Sequence, residues 1–120
     1  MFKIDNEKNI QITRGDRGTI KLTAKNGSFS IGDIIKFSIV EKKDYSNVVF
    51  QKEYTVTQEG ENAYLTLTEE DTRIGEVISK PVTYWYEIEY NEDQTPISYD
   101  EDNAKQFILY PEAPDKEGDD

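Results

Sequence analysis

The stretch Val82–Tyr90, reading Val-Thr-Tyr-Trp-Tyr-Glu-Ile-Glu-Tyr, places the tightest limit on what this chain can become. Tyr84, Tyr86, Ile88 and Tyr90 share one parity, while Thr83, Trp85, Glu87 and Glu89 share the other. A period of two puts alternate side chains on opposite faces of an extended backbone, so the segment reads as a long central β-strand with one buried side.

The rest of the chain repeats that alternation in shorter pieces. Ile10–Thr13 opens the first strand, with Ile10 and Ile12 on one face. It stops at Arg14-Gly15-Asp16-Arg17-Gly18, whose glycines suit a tight reversal at a hairpin tip. Thr19–Lys25 follows with Ile20, Leu22 and Ala24 inward, and after Gly32-Asp33 come Ile35, Phe37 and Ile39. Glu41–Asn47 is charged and polar and reads as a surface loop. Val48, Phe50, Tyr54 and Val56 then share one parity, with Lys52 marking an edge position or lying along apolar surface. Gln58–Asn62 reads as a hairpin connection, followed by Ala63, Leu65 and Leu67 facing in and Tyr64 and Thr66 facing out.

Thr68-Glu69-Glu70-Asp71 has capping-box spacing, but too little helix-periodic sequence follows to extend it beyond one turn. Pro81 ends the next connection, and Pro96 marks Thr95–Tyr99 as an edge or connecting segment. Ala104–Tyr110 closes the set, apolar on both faces and so expected to be buried on both sides. Short strands punctuated by turns, with no amphipathic helix, predict an all-β fold: an antiparallel immunoglobulin-like β-sandwich of seven or eight strands, with a small Greek-key barrel as the alternative.

A chain of 120 residues is the size of one domain. The reading divides it into a polar lead-in at 1–9, in which Phe2 and Ile4 suit a short edge strand, a sandwich domain at 10–110, and a disordered acidic tail at 111–120. With only 35% hydrophobic residues, the core must draw on a few large side chains, and 8 Tyr and 5 Phe supply them.

Charge and composition remove several function classes. A net charge of -11 disfavours nucleic acid, whose phosphates need basic surface, and disfavours anionic membranes for the same reason. No apolar run approaches the roughly 20 residues that span a bilayer, and polar residues interrupt Met1–Thr13 where an export signal would be apolar. Without His or Cys, disulfides, thiolates, histidine bases and the commonest zinc sites cannot form. The chain therefore reads as non-enzymatic, with no catalytic residues, no cofactor and no metal.

Four residues stand out as interaction candidates: Trp85, Tyr64, Arg14 and Asp16. Trp85 is either the core tryptophan of a sandwich covered on both sides, the stronger reading, or a partly exposed anchor that works with Tyr64. Arg14-Gly15-Asp16 is the adhesion tripeptide that integrins recognise, although Gly-Asp is also ordinary turn chemistry. Asp100-Glu101-Asp102-Asn103, with Asp93 nearby, offers oxygen ligands but lacks the calcium-loop pattern and reads as a solvated turn. Glu87 and Glu89 lie side by side on one strand face, whereas a glycosidase needs carboxyls facing each other across a sugar; they read as a solvated sheet face.

Ile12-Thr13-Arg14-Gly15-Asp16 with Thr19, then Leu67-Thr68-Glu69-Glu70-Asp71-Thr72 and Tyr84-Trp85-Tyr86-Glu87-Ile88, resemble the N-terminal immunoglobulin-like module of phage baseplate upper proteins and related small virion proteins of phages and prophages. The resemblance runs from Ile10 to Tyr110. It implies a structural protein without chemistry, made in the bacterial host cytoplasm and carried on the virion. Such a module docks on another virion protein at the tail baseplate or decorates the capsid surface. After Tyr110 this sequence carries only an acidic stretch instead of a long receptor-facing part, which favours an accessory or decorating subunit; self-association is left open. Two other classes stand beside it: a carbohydrate- or cell-surface-binding module built on Trp85 and exposed tyrosines, and an acidic DNA mimic resting on charge alone.

Overall fold

The computed structural model describes residues 1–41, 44–92, 94–97 and 104–113. Among them there is no helix. Nine strands form in chain order: β1 (Phe2–Ile4), β2 (Ile10–Thr13), β3 (Gly18–Thr23), β4 (Ile34–Glu41), β5 (Asp44–Thr55), β6 (Asn62–Leu67), β7 (Val82–Tyr90), β8 (Gln94–Ile97) and β9 (Lys105–Tyr110).

They make two sheets. The larger runs β1-β2-β9-β7-β4-β5, with β8 paired to β7, and the smaller is β3-β6 alone. Every pairing is antiparallel except β2 with β9, where Ile10 to Thr13 run beside Phe107 to Tyr110 in the same direction. The expected all-β sandwich is therefore the fold, as two separate sheets rather than a closed barrel.

The long alternating strand is central, as its pattern requires: β7 pairs with β4 through Ile35↔Tyr90 to Glu41↔Tyr84 and with β9 through Val82↔Leu109 to Tyr86↔Lys105. The core lies between the sheets. Ile10 and Ile12, Ile35, Phe37 and Ile39, Tyr86 and Ile88, and Phe107 and Leu109 face Ile20, Ala63, Leu65 and Leu67 of the small sheet. At its centre the Phe37 ring lies 5.5 Å from Tyr86, 6.2 Å from Phe107 and 6.4 Å from Phe50. Four adjacent strands of the large sheet thus meet in one aromatic cluster, where tilted and edge-on contacts add to the area buried.

Three departures from the pattern reading have local causes. A bulge between Ile39 and Val40 shifts the register, so Ile39 opposes Phe50 but Val40 opposes Val48. The extra residue, Val49, moves Val48 to the opposite face from Phe50, breaking the common parity expected of β5. The loop expected over Glu41–Asn47 is mostly strand, because β4 runs through Glu41 and β5 begins at Asp44. Ile108 and Tyr110 are half-buried rather than sealed, since among the described residues no second sheet lies over their face of the large sheet. The Asp93 and Asp100–Asn103 carboxylates and the tail beyond residue 113 lie outside the described residues.

β1 is anchored by one side chain. Its Phe2 ring lies against Gly18 so closely that a Cβ at that position would stand 2.4 Å from the ring. Gly18→Ala is expected to cost about 1–3 kcal/mol, the usual toll of overpacking, read by chemical denaturation. In a Phe2→Ala background the same change should cost much less; an equal cost in both backgrounds would show that the ring is not the obstacle.

Candidate interaction surface

Turning one face of β7 into the core forces its other face outward, together with the matching residues of β4, β5 and β9. Trp85 is on that outer face, half-buried and outside the core cluster. The sandwich-core reading of Trp85 therefore fails, because Trp85 takes the parity opposite to Tyr86 and Ile88, whose side chains fill the core between the sheets. Register places Trp85 between Gln106 and Val40, with Val48 next across β5. Val40 is only 2% exposed, whereas Val48 is 46% exposed. The result is an apolar row across β7, β4 and β5.

Polar rows border it. Ser38 is buried and accepts a hydrogen bond from Gln51 Nε2 at 2.9 Å. One step further, Lys36 pairs with Glu89 at 3.4 Å and lies opposite Glu53. Glu87 and Glu89 thus belong to the cross-strand ladder of an outer sheet face, as the bland reading of these carboxylates expects.

Arg14 and Asp16 are not at an exposed hairpin tip. Arg14 is buried, its Nη2 donating to the Gly75 carbonyl at 2.8 Å and its backbone N–H to Tyr110 at 2.9 Å. Gly15, at φ 88°, donates its N–H to Thr72 Oγ1 at 2.9 Å, and the Thr72 hydroxyl donates to the Asp16 carbonyl at 2.8 Å. The Asp16 carboxylate pairs with the N-terminal amine. A Cβ on Gly15 would come within 2.9 Å of Arg73 and 2.8 Å of Glu112, so both conformation and space demand glycine there. An adhesion tripeptide needs its arginine free, and this one is spent on holding a corner.

The two distant motifs Thr13–Asp16 and Leu67–Thr72 therefore touch, and the second is preorganised by its own capping box. Thr68 N–H donates to Asp71 Oδ2 at 2.9 Å and Asp71 N–H to Thr68 Oγ1 at 3.2 Å, closing the expected single turn. Lys52, on the core-facing side of β5, reaches the same Asp71 carboxylate at 2.8 Å and lies 5.3 Å above the Tyr54 ring. Burial works to raise the Asp71 pKa, but the Lys52 ammonium and the Thr68 donors outweigh it and hold the carboxyl below its ordinary value. Tyr54 donates to the Thr66 carbonyl at 2.8 Å, bonding one sheet to the other. Burial, then the Asp71 carboxylate, pushes the Tyr54 phenol well up, so it stays a donor.

A second carboxylate cluster was not foreseen from the sequence. Asp33 accepts from the Tyr90 hydroxyl at 2.5 Å, Ser30 N–H at 2.8 Å and Asn91 Nδ2 at 3.2 Å, while Asn91 Oδ1 accepts from Ile34 N–H at 2.7 Å. The Tyr90 hydroxyl is the largest of the influences that lower the Asp33 pKa. The Gly-Asp pair ahead of β4 was legible as a turn, but its side-chain partners Tyr90 and Asn91 lie 57 and 58 residues away.

Tyr64 is 60% exposed on β6. Beside it a cleft of about 150 Å³ opens between β5 and β6, lined by Ile35, Tyr54, Val56, Ala63, Tyr64 and Leu65 among others. Tyr64 and Trp85 belong to different sheets, so they do not form one patch. Among the described residues, no three Asp or Glu side chains are grouped to hold a metal ion. Comparison with known proteins finds no matching family model, no matching curated protein and no matching solved structure.

Thr72→Val would leave Gly15 N–H and the Asp16 carbonyl without their buried partner, an expected loss of about 1–3 kcal/mol by chemical denaturation. The lowered Asp33 pKa sets a sign for acid unfolding. The folded state releases that proton more readily than the unfolded chain, so stability present above the ordinary value, about 3.9, is lost as pH falls through the folded one. Asp33→Asn should therefore lose less stability than the parent chain on acidification below pH of about 4; parallel curves would count against the cluster.

Proposed function

We propose that this chain is a non-catalytic docking module of a phage or prophage particle, carried on the virion after synthesis in the bacterial cytoplasm. It binds another virion protein at the tail baseplate or on the capsid surface. The observation that supports this most is the outer face of the large sheet. Trp85, Val40 and Val48 form an apolar row rimmed by Gln51, Gln106 and the Lys36–Glu89 pair, which is the hydrophobic centre and polar border that protein interfaces use.

Two further features suit the role. Tryptophan is the side chain most often found to carry binding energy at interfaces, and here it is half-buried against Val40, so little freedom is lost when a partner covers it. The corner joining Thr13–Asp16 to Leu67–Thr72 unites the motifs that carry the resemblance to baseplate modules. It fixes the two sheets as a rigid body, and a rigid face binds without an ordering cost.

Particles purified from an induced lysogen are expected to contain the chain by mass spectrometry, and the purified protein should co-sediment with particles lacking it. Trp85→Ala and, separately, Val48→Glu should each lower that co-sedimentation by about tenfold or more, the loss expected when an interface anchor is removed. Val48 is already exposed, so its variant keeps the fold intact. Absence from virions together with failure to co-sediment would remove this reading.

A further inference from the structure

The small sheet ends in a backbone edge whose direction can be read bond by bond. Ala24 N–H donates to the Glu61 carbonyl at 2.8 Å and continues the β3–β6 ladder. In an antiparallel pair, bonded and non-bonded residues alternate, so Glu61, Ala63, Leu65 and Leu67 spend their backbone groups on β3. Asn62, Tyr64 and Thr66 then turn theirs away from it. Thr66 agrees, since its carbonyl accepts the Tyr54 hydroxyl from the opposite sheet.

Tyr54 caps one end of that edge and leaves the Asn62–Tyr64 stretch open along the cleft between β5 and β6. Ile35, Val56, Ala63 and Leu65 supply the apolar part of the lining, and about 150 Å³ is room for one aliphatic side chain.

Other edge strands carry the features that discourage pairing: Lys3 in β1, Lys21 in β3, Lys52 and Glu53 in β5, and Pro96 in β8. β6, reading Asn-Ala-Tyr-Leu-Thr-Leu, has neither a charge nor a proline. Exposed Glu59 and Glu61 lead into it, and neither forms an ion pair among the described residues. A second copy would bring a further charge of -11, with its own Glu59 and Glu61, against the same edge.

We propose that the outer edge of β6 captures an extended, basic strand of a partner protein by β-augmentation, with one of its aliphatic side chains seated in the cleft between Tyr54 and Tyr64. This rests on the docking reading above and adds the partner's chemistry: alternating aliphatic and basic residues in an unpaired arm. The backbone of Tyr64 supplies both a donor and an acceptor, and the glutamates select charge.

The test is a titration of the ¹⁵N-labelled full chain with the capped peptide Lys-Val-Lys-Val-Lys-Val-Lys. Its controls are Glu-Val-Glu-Val-Glu-Val-Glu and the basic peptide N-methylated at every inner residue, which keeps its side chains and charge but removes the donors that would face β6. The basic peptide should shift the Asn62, Tyr64 and Thr66 amides saturably and slow Tyr64 amide exchange by about tenfold near saturation, while both controls leave them unchanged. Tyr64→Pro removes the donor without breaking a bond to β3 and should abolish the response. Should that variant fail to fold, the peptide comparison on the parent chain decides alone. No shift at these amides, or equal shifts from the N-methylated peptide, overturns the proposal. So do peptide-independent shifts at these amides that grow with protein concentration, which would assign the edge to a second copy. A chain that captures the peptide yet never enters particles would instead remove the docking reading and leave the edge standing.

Discussion

A two-stranded ribbon is not stable by itself in water, so β3 and β6 depend on the surface they cover. Ile20, Ala63, Leu65 and Leu67 are buried because the Phe37 cluster, joined across β4, β5, β7 and β9, gives them an apolar floor. That single contact between layers orients the chain. It decides which parity of each strand is inside, and therefore which residues remain to meet a partner.

Polar bonds then fix the layers at their borders, where hydrophobic area runs out. At one end Thr72 serves both Gly15 and Asp16, and Arg14 reaches Gly75. Along the β5 side, Tyr54 to Thr66 and Lys52 to Asp71 link the large sheet to the small one and to the turn that follows it. Most of these join a side chain to backbone or to an opposite charge, and each supplies a partner to a group that the fold partly withdraws from water. The sandwich is consequently tied at one end and along one flank, while Val48 on the outer face of the large sheet and Tyr64 on the β6 edge stay exposed.

Much of the fold was legible because strand patterning is local. Val82–Tyr90 announced itself as central, and the inward sets of β3, β4 and β6 match their burial with little change. The bulge that reverses Val48 was not legible, since Val48-Val49-Phe50 is apolar at every position and either parity satisfies it. The site candidates fared differently. Tyr64 was placed outward correctly from alternation. Trp85 could not be assigned, because its face depends on whether a second layer lies over the large sheet. Arg14 was misplaced at a tip because a tripeptide carries no record of the residues 57 to 61 positions away that bind it.

The sequence by itself determined an all-β chain with a central aromatic strand, a strong negative charge, and no histidine or cysteine chemistry, all of which follow from residue type and a period of two. Only the tertiary structure decided that Trp85 looks out rather than in, that Arg14-Gly15-Asp16 is a closed corner, and that β6 presents an unguarded edge. Periodicity divides side chains between two faces but says nothing of which face another layer will cover. That is settled by contacts between segments far apart in the chain.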